Sequence, residues 1–234
     1  MLLSRRQFVR TTTLATAVAA SAAIPLEVDA AQSNSTSLSA EEALSSLKDG
    51  NKRFVSGNLR YPHTGKEWLK GLVKGQAPFA TILGCSDSRV PPELLFDQGF
   101  GDLFVVRVAG NVVDVDVEGS IEYSVDHCGT RLVVVMGHQG CGAVTAALKS
   151  SGDLKNEPNE IQRLVRLIKP IDRSATKGLS FDEVLARSVE ENVKASVRTL
   201  SKIPDLAMAI EKKNVMIVGC VYDIATGTVR FMDA

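Results

Sequence analysis

The sequence predicts an α/β fold: a central, mainly parallel β-sheet flanked by helices, with an N-terminal helical arm. Three observations predict it. Short apolar runs rich in β-branched residues recur at Phe79–Gly84, Asp102–Val108, Arg131–Gly137 and Val215–Tyr222, the pattern of strands buried on both faces. Segments of helical period separate them, and strands alternating with helices build a parallel sheet. The last run is followed by a turn at Thr226-Gly227 and a short segment, Thr228–Met232, which reads as an edge strand running against the others.

The chain has 234 residues. Its first thirty read as an address. Arg5, Arg6 and Arg10 precede a weakly apolar Ala- and Thr-rich stretch from Leu14 to Ile24, and small residues follow at Ala30-Ala31. That order is a positive region, an apolar region and a cleavage site. Arg5-Arg6 followed by Phe8 resembles a twin-arginine export signal. The reading is an exported protein, periplasmic or otherwise extracytoplasmic, that meets a membrane only during export. Residues 31–38 read as a polar linker, and residues 39–234 as one domain.

Ser39 with Glu42 is a capping-box signature that starts the first helix. Leu44, Leu47 and Phe54 put an apolar stripe on it, to be buried on this domain or on a partner chain. A second helical patch holds Trp68, Leu69, Leu72 and Val73, with Trp68 read as a packing residue. Pro91-Pro92-Glu93 opens a short helix, since proline is tolerated in a first turn. Gly119–Cys128 reads as a helix leading into the third strand, and Gly142–Lys149 as the helix after it. Ile161, Leu164, Val165 and Ile168 form another stripe. Ser180 with Glu183 is a second capping box, followed by Val184, Val189, Val193, Val197 and Leu200. Pro204–Lys213 reads as a short helix.

Composition limits the function classes. The chain is 44% hydrophobic and 23% charged, with formal net charge +0, and no basic stripe offers a nucleic-acid footprint. Four cysteines are too few for a disulfide scaffold in a chain this long. Cys128 and Cys220 lack ligand-type neighbours and read as core thiols. His63 and His127 read as exposed or capping residues.

The chemistry gathers at two strand ends. Cys85 and Asp87 follow the Phe79–Gly84 run; His138 and Cys141 follow the Arg131–Gly137 run. Parallel sheets place functional groups just beyond the carboxyl ends of their strands, so neighbouring strands would bring all four together. Two thiolates, an imidazole and a carboxylate suit zinc. Asp87 decides the state of such a site: as a fourth ligand it closes the centre, whereas paired with Arg89 it leaves a position for water. Zinc lowers the pKa of bound water to roughly 7, and the chemistry implied is attack of zinc-bound hydroxide on a small electrophilic carbon. The small residues Gly140, Gly142 and Ala143 permit close backbone approach.

Cys85-Ser86-Asp87-Ser88-Arg89 together with His138-x-x-Cys141 resembles the signature of the β-class carbonic anhydrases. The likeness runs on through Val90-Pro91-Pro92-Glu93, through Phe104–Asn111 and Gly119–Tyr123, and back to Asn51–Gly57. The resemblance implies the fold of that class, zinc as cofactor, and reversible hydration of carbon dioxide to bicarbonate and a proton. It implies Cys85, His138 and Cys141 as zinc ligands, Asp87 as ligand or water-orienting residue, and Arg89 as its partner in a dyad. It further implies Gln98 and Gly142 as pocket residues. A homodimer or higher homo-oligomer is expected, in which the N-terminal helices reach across to the partner. Two other readings stay open: hydrolysis of carbonyl sulfide or carbon disulfide on the same fold, and a purely structural zinc site.

Overall fold

A computed structural model of the chain describes residues 36–150, 154–172, 176–212 and 214–232; the leader read at 1–30 lies outside them. The apolar runs become β1 (Ala80–Gly84), β2 (Leu103–Arg107), β3 (Leu132–His138) and β4 (Met216–Tyr222), with β5 (Val229–Phe231) as the short last strand. They form one five-stranded sheet in the order β2-β1-β3-β4-β5. The first four pair in parallel, and β5 runs antiparallel to β4. Every residue of β1 and β3 is buried, because helices cover both faces of a parallel sheet.

Alternate side chains of each strand serve opposite faces. Val133 and Val135 pack with Leu83, Ile121, Val189 and Val193 on one side. Val134 and Met136 pack with Ile82, Ala43, Leu47 and Phe96 on the other. The first layer belongs to α4 (Val115–Asp126), α5 (Gly142–Ser150) and α7 (Phe181–Leu200), the second to α1 (Ala40–Val55) and α3 (Pro92–Leu95). The remaining helices are α2 (Lys66–Gly71), α6 (Asn159–Leu167) and α8 (Pro204–Glu211).

Both capping boxes form. The Ser39 and Ser180 hydroxyls accept from the backbone N–H of Glu42 and Glu183, whose carboxylates reach back to the cap N–H groups. Of the α1 stripe, Leu47 is fully covered on its own sheet, beside Ala43, while Leu44 and Phe54 pack there only partly buried. α4 begins four residues before its expected start, because the Asp114 side chain accepts from Val117 N–H and caps the helix there; the alternating Val and Asp of 112–117 hide that start. α6 ends at Leu167, so Ile168 is extended backbone beyond the stripe, although it is buried. α2 stops at Gly71, leaving Val73 exposed. Trp68 packs only in part: it stacks on His63 and donates its indole N–H to the Phe100 carbonyl. Cys128 and Cys220 are buried in the core, and His127 caps the end of α4.

Two close approaches position α7. A Cβ at Gly137 would lie 2.6 Å from Val193 Cγ2, and one at Gly219 would lie 2.7 Å from Val193 Cγ1. Glycine at both positions lets the helix rest directly on β3 and β4. On the opposite layer, one side chain ties α1 to distant parts of the chain. Asn51 is buried; its amide donates to the carbonyls of Leu95 and Gly227 at 3.1 and 3.0 Å, and its oxygen accepts from Val229 N–H at 2.8 Å. Asn51→Ala leaves three buried backbone groups without this partner, each costing about 1–3 kcal/mol when unsatisfied. The expected loss is about 3 kcal/mol, read as a lower urea midpoint with an unchanged slope.

Candidate metal centre

The register of β1 and β3 assembles the site. Gly84, the last residue of β1, lies opposite Met136, so β3 runs two residues further, to His138. Cys85 leaves β1 beside that extension. Cys141 sits in the turn between β3 and α5, whose first residue is Gly142. The ligand atoms of Cys85, His138 and Cys141 all lie within 4.8 Å of one another, and all three residues are buried.

Three features test whether this trio fits a metal ion. The Cys85 and Cys141 sulfurs are 4.0 Å apart; a tetrahedral centre with metal–sulfur bonds of about 2.3 Å, the zinc value, holds two sulfurs about 3.8 Å apart. His138 is fully buried, and its Nδ1 donates to the Gln139 carbonyl at 3.0 Å. That bond selects the tautomer whose Nε2 carries a free lone pair, the usual outer-shell arrangement of a ligating histidine. Nε2 itself has no hydrogen-bond partner, and an orphaned buried nitrogen is costly unless something binds it. The residues fit a bound divalent ion.

The two thiols also behave as a pair. The hydrogen bond from Cys141 lowers the pKa of Cys85, with help from the Gly110 N–H, whereas that same bond and burial push Cys141 up. The Cys85 sulfur is thus the one favoured as thiolate, because the Cys141 sulfur beside it supports its charge.

Asp87 stands beside the trio rather than in it. Its Oδ2 is 3.8 Å from His138 Nε2. Arg89 grips it with both arms, Nε to Oδ1 at 2.9 Å and Nη2 to Oδ2 at 2.7 Å, and adds its backbone N–H to Oδ1 at 3.0 Å. The Arg89 side chain holds the Asp87 carboxyl well below the usual carboxylate range. Asp87 is thus paired with Arg89.

The other two expected site residues separate. Gly142 opens α5 with open space where a side chain would project. Gln98 turns away: its amide donates to the Phe96 carbonyl at 2.9 Å and lies against Gly50 of α1, and no described contact joins it to Cys85, His138 or Cys141. One residue that the sequence reading passed over is Arg107, the last of β2. Its Nε donates to the Cys85 carbonyl at 3.0 Å and its Nη2 to the Asp87 carbonyl at 2.6 Å. Arg107 thus pins the backbone on which a ligand and the dyad acid are carried. The only trace of this in the sequence is a charged residue closing an otherwise apolar strand.

Loading the apo protein with zinc is expected to expel protons and to weaken as pH falls, because thiols bind a metal only as thiolates. Calorimetry in buffers of different ionisation enthalpy reads that release; zinc binding with no proton release would show that these thiols are not the ligands.

Comparison with known proteins agrees with this geometry. Residues 80–229 match the family model described as carbonic anhydrase. Carbonic anhydrase 2 of Mycobacterium tuberculosis is 40% identical over 193 residues, covering 82% of this chain and 92% of that protein. Among solved structures, a Coccomyxa β-carbonic anhydrase in complex with acetazolamide superposes with a TM-score of 0.65 at 28% identity, covering 81% of this chain and 86% of the other. A structure from a study of two tetrameric β-carbonic anhydrases of Sordaria macrospora gives 0.63 at 26% identity, over 83% of this chain and 96% of the other. With its sheet order, its Cys85–His138–Cys141 cluster and these relatives in agreement, the chain belongs to the carbonic anhydrase family, in its β class.

Proposed function

We propose that this protein hydrates carbon dioxide reversibly to bicarbonate and a proton, using a zinc ion held by Cys85, His138 and Cys141. One observation carries the reading: two sulfurs and an unpartnered imidazole nitrogen converge within 4.8 Å, with an arginine-held carboxylate at their side. Two thiolates and a neutral imidazole balance the charge of a divalent ion, and this donor set favours zinc. Bound there, zinc supplies a Lewis acid that makes a water-derived nucleophile available near neutral pH.

The chain's own residues do the rest. Asp87, kept ionised by Arg89, can only accept a hydrogen bond, and its Oδ2 stands on the His138 side of the cluster. That acceptor is suited to orienting a reacting water toward a small electrophile. Arg89 spends its guanidinium on both Asp87 oxygens, which restrains the carboxylate from becoming a fourth ligand. Arg107 fixes the loop that carries both Cys85 and Asp87.

By analogy with the tetrameric relatives from Sordaria macrospora, we infer a homodimer or higher homo-oligomer. The Arg5-Arg6 leader supports export and action outside the cytoplasm. Among the described residues no helix is long and apolar enough to cross a membrane.

Stopped-flow hydration of carbon dioxide by the zinc-loaded protein tests the proposal. Fast hydration that rises with pH is expected. Asp87→Ala should keep the metal and lose about 10²-fold in kcat, the low end for a positioned acid–base group. Arg107→Leu should lose about tenfold, with the metal bound more weakly. A zinc-replete protein inert toward carbon dioxide at every pH would leave a carbon–sulfur substrate or a structural metal. Full turnover in Asp87→Ala would remove that residue from the reaction.

A further inference from the structure

We propose that Asn192 of α7 is a positioning residue for the metal centre, acting through Gly110, whose carbonyl it holds and whose backbone N–H is directed at the Cys85 sulfur. The inference rests on the metal reading above and extends it to a helix that contributes no ligand.

The chain of contacts is short. The Cys85 sulfur accepts a hydrogen bond from Gly110 N–H at 3.3 Å. Gly110 lies in the single turn of 3-10 helix, Ala109–Asn111, that ends the path from β2, and its φ is +74°. That conformation favours glycine. A Cβ there would also meet Ile168 Cδ1 at 3.0 Å and Ala143 Cβ at 3.2 Å, so the turn is wedged against the helix that starts beside Cys141. Before the turn, Val108 N–H donates to the Gly84 carbonyl at 3.1 Å, which fixes its entry against β1.

Its exit is fixed from α7. Asn192 Nδ2 donates to the Gly110 carbonyl at 2.8 Å, and one helical turn on, the Ser196 hydroxyl donates to the Asn111 carbonyl at 3.1 Å. Two side chains on one face of the helix therefore hold consecutive carbonyls of the turn. Asn192 is 1% exposed, and its Oδ1 accepts from Lys169 N–H at 3.0 Å. With an N–H on one side and a carbonyl on the other, its amide has one satisfied orientation. A turn held at entry and exit keeps its N–H on the sulfur instead of swinging toward water.

Such a bond draws charge from a metal-bound thiolate and orients its lone pairs, so losing it alters both affinity and electronic structure at the metal. A scaffold role would look different. Ser188, one turn earlier on α7, accepts from Ile171 N–H at 3.3 Å and has no described contact with Gly110; it serves as the matched control.

The experiment loads full-length wild type, Asn192→Ala and Ser188→Ala with cobalt, then measures the sulfur-to-cobalt charge-transfer band and, by chelator competition, zinc affinity. The expected result is a band at longer wavelength and about tenfold weaker zinc in Asn192→Ala, with Ser188→Ala matching wild type in both. Asn192→Ser replaces Asn192→Ala if the alanine variant does not fold, and is read the same way. A wild-type band in the Asn192 variant, or an equal shift in Ser188→Ala, overturns the positioning role and leaves the metal site standing. Failure of the wild-type chain to bind cobalt or zinc stoichiometrically overturns the metal site itself, and this inference with it.

Discussion

Two buried sulfurs 4.0 Å apart and a buried imidazole nitrogen without a partner form an arrangement that low-dielectric surroundings do not tolerate unattended. A bound cation would satisfy all three groups at once. Most of the structure around the cluster serves to bring these groups together and to keep them from relaxing. The in-register parallel pairing of β1 and β3 sets the spacing, because residues just past paired strand ends have nowhere to go but toward one another. The complete burial of both strands then anchors those ends against the core on two faces.

Around that cluster lies a shell of backbone contacts. Arg107 reaches across from β2 to two carbonyls of the Cys85–Asp87 loop, and the Gly110 turn points an N–H at the Cys85 sulfur. α7 reaches the turn because Gly137 and Gly219 let it lie directly on β3 and β4. A bulkier residue at either position would lift the helix, and with it Asn192. Packing at the sheet and hydrogen bonding at the site are thus one mechanical system, in which a small shift in the layer spacing is felt at the sulfur.

Asp87 shows how charge decides the state of the site. Its carboxylate lies between His138 on one side, 3.8 Å from Nε2, and Arg89 on the other. Arg89 pairs with both carboxylate oxygens through its planar guanidinium, a strong bidentate geometry, and adds its own backbone N–H from the same loop. The carboxylate is consequently held as a hydrogen-bond acceptor beside the cluster.

The sequence by itself determined the strands, both capping boxes and the four groups at two strand ends, because each is written in neighbouring residues: β-branched runs, Ser39 with Glu42, Ser180 with Glu183, and ligand-type residues directly after glycine. It also marked Asp87 and Arg89 as a pair through their spacing in one loop. Where local pattern was misleading, boundaries moved; Asp114 caps α4 earlier than the apolar spacing of Ile121 and Val125 suggests. Only the tertiary structure decided that Asp87 sides with Arg89, that Gln98 faces α1 and not the cluster, and that Arg107 and Asn192 support it. Arg107 follows Cys85 by 22 positions and Asn192 follows Gly110 by 82. A side chain that bonds a backbone carbonyl needs no particular residue there, so such contacts leave no motif and exist only once the sheet has brought the segments together.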